Sequence, residues 1–348
     1  MSKEVKAFGT YAADKPLEQL TINRRIVAPH DVEFEILYCG ICHSDLHTIR
    51  NEWGSATYPI VPGHEIVGKV TSLGDSVTKF KVGDIVGVGC IADSCRHCDA
   101  CNEGNEQYCE NGWTVVFNFP DKILGGMTYG GFSQSIIVDE NYVLHVPKKL
   151  DLPSAAPILC AGITVYSPLK HWKAGIGKRV GIIGVGGLGH LAVKIAKAMG
   201  ATVVVFSTSA EKADDVKRLG ADEFVLTKDV EQMQNTPKLD MILDTVSGKH
   251  DVNQYLNLLK TDGSLVIVGL PVEPLAVRTF NLVHARRSFS GSNIGGIRET
   301  QEVLDFCAEH NITADIELIS VQDINTAFDR LQKGDVKYRF VVDMKTLR

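Results

Sequence analysis

The sequence predicts an α/β protein in two parts, a mainly β first half followed by a parallel sheet wound with helices. Two observations carry this. The pattern changes near residue 150, from short strands and frequent turns to apolar strands alternating with longer helical stretches. Beyond that point a glycine-rich turn, Gly184 to Gly189, joins a strand to a helix. At 348 residues the chain is about twice the usual domain length, which agrees with two domains.

In the first half, Asp31 to Ile36 alternates polar and apolar side chains, the period of a strand with one buried face. Pro59, Pro62-Gly63, Gly74-Asp75, Gly83-Asp84 and Gly130-Gly131 cut the region into short pieces. From Leu150 the pattern calls for βαβ units. Arg179 to Ile183 is the first strand, and Leu191, Val193, Ile195, Ala196, Ala198 and Met199 populate the helix after it. Thr202 to Phe206 is the second strand; others are expected at Met241 to Leu243, Leu265 to Val268 and Phe289 to Gly291. The tail predicts helices over 299–309 and 324–333 and a last strand from Tyr338 to Val342.

Composition narrows the function classes. Hydrophobic content of 44% and charge of 22% describe an ordinary globular chain. A net charge of −6 with no basic block argues against a nucleic-acid surface. No apolar run approaches the roughly 18 residues of a membrane helix, and Met1 to Lys6 is not an apolar signal, so a soluble cytoplasmic protein is expected. Reduced thiols suit that compartment.

Four of the nine cysteines, Cys95, Cys98, Cys101 and Cys109, share one loop at spacings of two, two and seven residues. Four thiolates from one loop close a tetrahedral shell around zinc and leave no position for substrate, the pattern of a structural site. An iron–sulfur cluster is the alternative for related spacings. Four unrelated core thiols fit poorly, because Asp93, Ser94, Arg96, His97, Asp99 and Asn102 share the loop.

Gly184-Val185-Gly186-Gly187-Leu188-Gly189 has glycines at relative positions one, three and six. These allow a tight turn, close approach of a pyrophosphate and close helix packing, while the helix N-terminus favours negative charge. The strand before, the helix after and a second strand ending about 23 residues on supply the dinucleotide-binding context. An NAD site usually ends that second strand with Asp or Glu; here Ser207 is followed by Thr208, Ser209 and Lys212. Hydroxyls and an ammonium suit a 2′-phosphate, so NADP(H) is expected over NAD(H). A helix N-cap with ordinary surface residues is the plainer reading of the same stretch.

A catalytic zinc needs about three protein ligands and one exchangeable position. Cys42, His64, Glu65 and Cys160 stand out by their surroundings, although spacing says little about residues so far apart. Gly40 to His47 crowds polar groups together, Pro62-Gly63 precedes His64-Glu65, and Cys160 falls where the two halves of the chain meet. On its own, Cys160 reads better as a plain core thiol.

Gly40 to His47, Gly63-His64-Glu65, the four-cysteine loop, Cys160-Ala161-Gly162 and the glycine turn, in that order, resemble the zinc-dependent medium-chain alcohol dehydrogenases. Within them the chain is most similar to the cinnamyl-alcohol-dehydrogenase branch of NADP-dependent aldehyde reductases. The resemblance spans nearly the whole chain. It implies a GroES-like catalytic domain over 1–160, a Rossmann NADP-binding domain over 161–292, and a segment 293–348 returning to the first domain. It also implies a homodimer and two Zn2+ per chain.

By the same resemblance Cys42, His64 and Cys160 hold the catalytic zinc, Glu65 takes the fourth position when water leaves, and Asp45 orients His64. Ser44 donates a proton to the reduced oxygen, drawn through the cofactor ribose from His47. His43 and Arg339 are implied at the pyrophosphate, Thr164 behind the nicotinamide, and Val268, Gly269, Ser292, Asn293 and Ile294 where the nicotinamide end is held. Cys39, Cys90 and Cys307 match no ligand and read as core thiols. Trp53, Trp113 and Phe117 are candidate walls of a pocket for an aromatic or long apolar aldehyde. The stretch Asn111 to Met127 departs from the plant pattern, so broad aldehyde specificity is expected. The alternatives are a zinc-free NADPH quinone reductase or sensor on the same fold and, within the family, a polyol dehydrogenase.

Overall fold

The computed structural model describes residues 2–347; Met1 and Arg348, the outer ends of the first and last expected segments, lie outside them. The chain forms two compact units. One runs up to Cys160 and resumes at Gly295; the other is Ala161–Ile294.

The first unit is built on the strand Asp31–Gly40, inside a seven-stranded sheet. This strand pairs antiparallel with Ile66–Leu73, Ser135–Asp139 and Arg339–Asp343. Its apolar positions Val32, Phe34 and Ile36 are buried as the alternation predicts, but so are Asp31 and Glu33. The hairpin of Ser2–Gly9 and Glu18–Arg25 accounts for that: Arg25 pairs with Asp31 at 2.8 Å and Lys3 with Glu33 at 2.6 Å. The final strand, found at Arg339–Asp343, places Val341 opposite Gly40 and so returns the end of the chain to this sheet. Its parallel neighbour Ile316–Ser320 was not anticipated; five residues are too few to show a period.

In the second unit six strands run parallel, in the order 223–226, 202–207, 179–183, 239–244, 259–267, 288–291. Val180, Ile182, Val203, Val204, Val205, Ile242 and Leu243 have no exposed surface, the mark of a sheet covered on both faces. The chain builds outward from 179–183 in one direction, then returns beside it with 239–244 and builds the other way. Between those two strands lies the point where strand order reverses, outside whose carboxyl ends such sheets bind ligands. Among the described residues no single helix is long and apolar enough to cross a membrane.

Candidate active site

Cys42 is the N-cap of the short helix His43–Ile49, and Asp45 is its third residue. Asp45 has no exposed surface and accepts three N–H groups. Its Oδ2 takes the Cys42 amide at 2.9 Å, and its Oδ1 takes the Gly63 amide at 2.9 Å and Nδ1–H of His64 at 3.0 Å. One carboxylate thus locks the loop of Cys42 to the turn of His64. It also sets the orientation of the His64 ring, with Nε2 3.3 Å from the Cys160 sulfur. Phe117 stacks on the His64 ring, centroids 5.7 Å apart, and holds its plane.

Ligand atoms of Cys42, His64, Glu65 and Cys160 all lie within 4.8 Å of one another, and all four residues are buried. Glu65 Oε1 accepts from Arg339 Nη2 at 2.7 Å, whereas its Oε2 is buried without a partner. Gly40 makes room for it, since a Cβ there would stand 1.9 Å from that oxygen. Burial pushes the Glu65 carboxyl up to about 7 against the pull of Arg339. A hydrogen bond with Cys160 pulls the Cys42 thiol well below its usual range, helped by the charges of Arg339 and His64 and opposed by burial. Two soft sulfurs, one imidazole nitrogen and one orphaned carboxylate oxygen are a donor set suited to a single zinc ion.

The quartet fits a second ion. Cys95, Cys98, Cys101 and Cys109 bring their sulfurs within 4.8 Å of one another, with Cys95 to Cys101 at 3.8 Å and Cys98 to Cys109 at 4.0 Å. A tetrahedron with zinc–sulfur bonds of about 2.3 Å has edges of about 3.8 Å. Backbone N–H groups of Cys95 and Cys98 donate to the Cys109 and Cys95 sulfurs, each at 3.4 Å, and favour thiolates.

In the second unit Gly184 takes a φ of +85°, open to glycine and costly to other residues. A Cβ at Gly189 would stand 2.1 Å from the Gly184 carbonyl, so the helix Gly189–Ala198 starts in close contact with the turn. Gly186, by contrast, faces open space, the cradle a pyrophosphate needs. The buried His190, which no motif marks, places Nδ1 3.1 Å from the Gly186 carbonyl. Ser207 closes its strand, with Oγ accepting from the Ser209 amide at 3.2 Å, and Thr208 is exposed beside it. Lys212 donates to the Val185 carbonyl at 2.9 Å, which brings the ammonium to the glycine turn. The amides of Val268 and Gly269 bond the Asp244 carbonyl, Ser292 follows the last strand, and Thr164 is buried in the helix Ala161–His171.

Other expected residues stand differently. Trp113 packs on the cysteine quartet. Phe117 takes the place beside His64 instead. Trp53 is exposed, its ring 5.2 Å from that of His47. Arg339 has the Glu65 pair and the Ile41 carbonyl as partners, with Nε buried and unpartnered. Cys39 and Cys307 are fully buried thiols, but Cys90 is only half-buried and hydrogen-bonds Cys160, so it is a neighbour of the cluster rather than a plain core thiol. No motif marks Cys90, because its neighbours Cys160 and His64 are distant in sequence.

A β unit with one closed and one coordinatively unfinished thiolate centre, joined to a dinucleotide-type parallel sheet, defines a zinc-binding dehydrogenase. Residues 28–148 match the alcohol dehydrogenase GroES-like domain, and residues 187–309 match the zinc-binding dehydrogenase family. The chain is 55% identical over 346 residues to NADP-dependent alcohol dehydrogenase C 1 of Mycolicibacterium smegmatis. It is 52% identical over 347 residues to aldehyde reductase YahK of Escherichia coli; both alignments cover 99% of each chain. Cinnamyl alcohol dehydrogenase from Sorghum bicolor superposes with a TM-score of 0.95 at 46% identity, over 99% of this chain and 98% of that one. The chain belongs to the zinc-binding alcohol dehydrogenase family.

If Asp45 sets the basicity and orientation of His64, Asp45→Asn weakens one of two zinc sites by about 10- to 100-fold. Competition with a chromophoric chelator reads both sites, and equal affinities in the variant and wild type contradict the role.

Proposed function

We propose that this enzyme reduces aldehydes with NADPH, and runs the reverse oxidation of alcohols, over a broad set of aromatic and longer aliphatic substrates. The observation that carries the reading is the buried cluster of Cys42, His64, Cys160 and the half-satisfied Glu65. When bound, zinc supplies a Lewis acid for the carbonyl oxygen and NADPH the hydride for the carbonyl carbon. Cys42, His64 and Cys160 hold the metal, and Asp45 keeps Nε2 of His64 aimed at it. Glu65 keeps one oxygen on Arg339 and has the other to offer when water leaves. Ser44, whose Oγ lies 3.7 Å from the Cys42 sulfur, donates the proton to the reduced oxygen. His47 stands one helical turn further on and resupplies it; Glu52 takes up Nδ1, so Nε2 is the exchanging nitrogen.

Ser207, Thr208, Ser209 and Lys212 hold the 2′-phosphate, where a carboxylate would repel it. The glycine turn takes the pyrophosphate, with Gly186 open to it. Thr164, Val268, Gly269 and the residues Ser292 to Ile294 hold the nicotinamide end. The relatives named as NADP-dependent support this choice. A second copy of the chain docks on the second unit. There the strand Ser288–Gly291 is an unpaired sheet edge, and Leu270, Val272, Phe280 and Val283 are between 60% and 80% exposed.

Rates with a panel of aldehydes, quinones and sugar alcohols test the reading, alongside elemental analysis. Two zincs per chain and aldehyde reduction about tenfold or more faster with NADPH than NADH are expected. Faster sugar-alcohol oxidation replaces it with a polyol dehydrogenase, and quinone reduction with one zinc replaces it with zinc-free chemistry. His47→Gln slows turnover about tenfold or more where proton supply limits the rate; unchanged rates from about pH 6 to 9 remove His47 from the relay. In sedimentation the wild type runs as a dimer and Phe280→Glu as a folded monomer, whereas a monomeric wild type rules the dimer out.

A further inference from the structure

The loop after strand Leu239–Asp244 carries a pair that the reaction does not use. Asp244 is fully buried, and His250 is mostly so, with 13% of its side chain exposed. Nε2 of His250 lies 2.7 Å from Asp244 Oδ2, and Nδ1 lies 2.8 Å from the Gly248 carbonyl. A carboxylate and a carbonyl are both acceptors, so both ring nitrogens carry hydrogen and the imidazole is cationic. The loop 244–250 is thereby closed on itself at two points, and losing one proton releases one of them.

What the closed loop touches gives it a function. Asp244 Oδ1 accepts from the Val246 amide at 3.1 Å, and the Asp244 carbonyl accepts from the amides of Val268 and Gly269. Thr245 Oγ1 donates to the Ile183 carbonyl at 2.8 Å. Val246 fills the space beside Gly184 and Gly269, where an added Cβ would approach it to 2.8 Å and 2.3 Å respectively. Ser247 Oγ takes the Leu270 amide at 3.1 Å. The loop therefore ties the glycine turn to the loop after strand Leu259–Ile267, at the point where strand order reverses.

We propose that His250 is a positioning residue for the dinucleotide: in its doubly protonated form it closes the loop 244–250, holds Val246 against the glycine turn, and makes NADP(H) binding weaken as pH rises. The inference rests on the reading of this crevice as an NADP(H) site. The direction follows from linkage. Asp244 and the Gly248 carbonyl lift the His250 pKa against burial, so the closed loop is favoured at low pH and lost as pH climbs through that raised value. Three further charged or titratable groups lie near the ring. Asp251 is held below the usual carboxylate range by the amide and side chain of Asn253, and burial pushes Tyr255, edge-on to the ring, up to about 12. Lys249 is turned to Glu273, 2.7 Å away.

The test titrates the holoenzyme with NADPH, read by nicotinamide fluorescence, from about pH 6 to 9, in wild type and His250→Gln. Wild-type Kd is expected to rise up to about tenfold for each unit by which binding shifts the His250 pKa. His250→Gln, which keeps at most one of the two bonds, is expected to show the weak, high-pH Kd throughout and no such step. In wild type, NMR titration of the His250 ring reports the reciprocal effect, an upward pKa shift on adding NADPH. Parallel pH profiles for the two proteins, or a His250 pKa indifferent to NADPH, overturn the inference while leaving the cofactor assignment intact. Failure of wild type to bind NADPH at any of these pH values overturns both.

Discussion

Asp45 is the constraint on which the metal cluster depends. Its carboxylate meets the Cys42 amide, the Gly63 amide and the His64 ring, so three groups from two chain segments share one buried anion. A fully buried carboxylate is tolerated only when its lone pairs are taken, and here the partners that satisfy it are also the parts that must be aligned. Alignment and solvation are then the same set of bonds. The sulfur of Cys42 and the Nε2 of His64 are held in reach of Cys160 before any cation arrives, so little of a metal's binding energy is spent on ordering ligands.

The second unit repeats the device with a different outcome. Asp244 is likewise fully buried, and its carboxylate is satisfied by one backbone amide, that of Val246, and a histidine. The difference lies in the far side of each ring. His64 turns Nε2 toward a sulfur cluster, where it would serve a cation as a ligand nitrogen. His250 turns Nδ1 toward a carbonyl and must be protonated twice. The same carboxylate–histidine pairing therefore prepares a ligand in one unit and a charge-dependent closure in the other.

What the sequence made legible follows the range of the interactions involved. The quartet and the glycine turn are local: their residues act together because the chain carries them together, and spacing suffices to find them. His64 and Cys160 are 96 residues apart; their surroundings made them candidates, and resemblance to a family gave them a ligand role. The parallel strands showed as apolar runs because they are covered on both faces, whereas Ile316–Ser320 and Glu223–Leu226 were too short to register. Aromatics were the weakest ground. Trp113 and Phe117 lie four residues apart in one loop, yet one packs on the quartet and the other on His64. Side-chain direction in an irregular loop has no period to read. Cys90 escaped for a related reason, since its contact with Cys160 is made across the fold.

Glu65 shows why the cluster is built for a cation rather than for stability. Its pair with Arg339 is buried on both sides, and such pairs return little net stability against desolvation, while removing one partner costs about 3–5 kcal/mol. Its second oxygen is worse placed, buried with no donor, a condition worth about 1–3 kcal/mol against the fold. An apolar residue of similar volume avoids both penalties. The fold instead spends a glycine at position 40 to admit that oxygen, with no alternative residue small enough to clear it. A carboxylate kept half-solvated by Arg339 and half-bare beside two thiols and an imidazole makes physical sense only if positive charge is delivered among them. The unsatisfied oxygen is then electrostatic preparation, in place before the ion whose charge it answers.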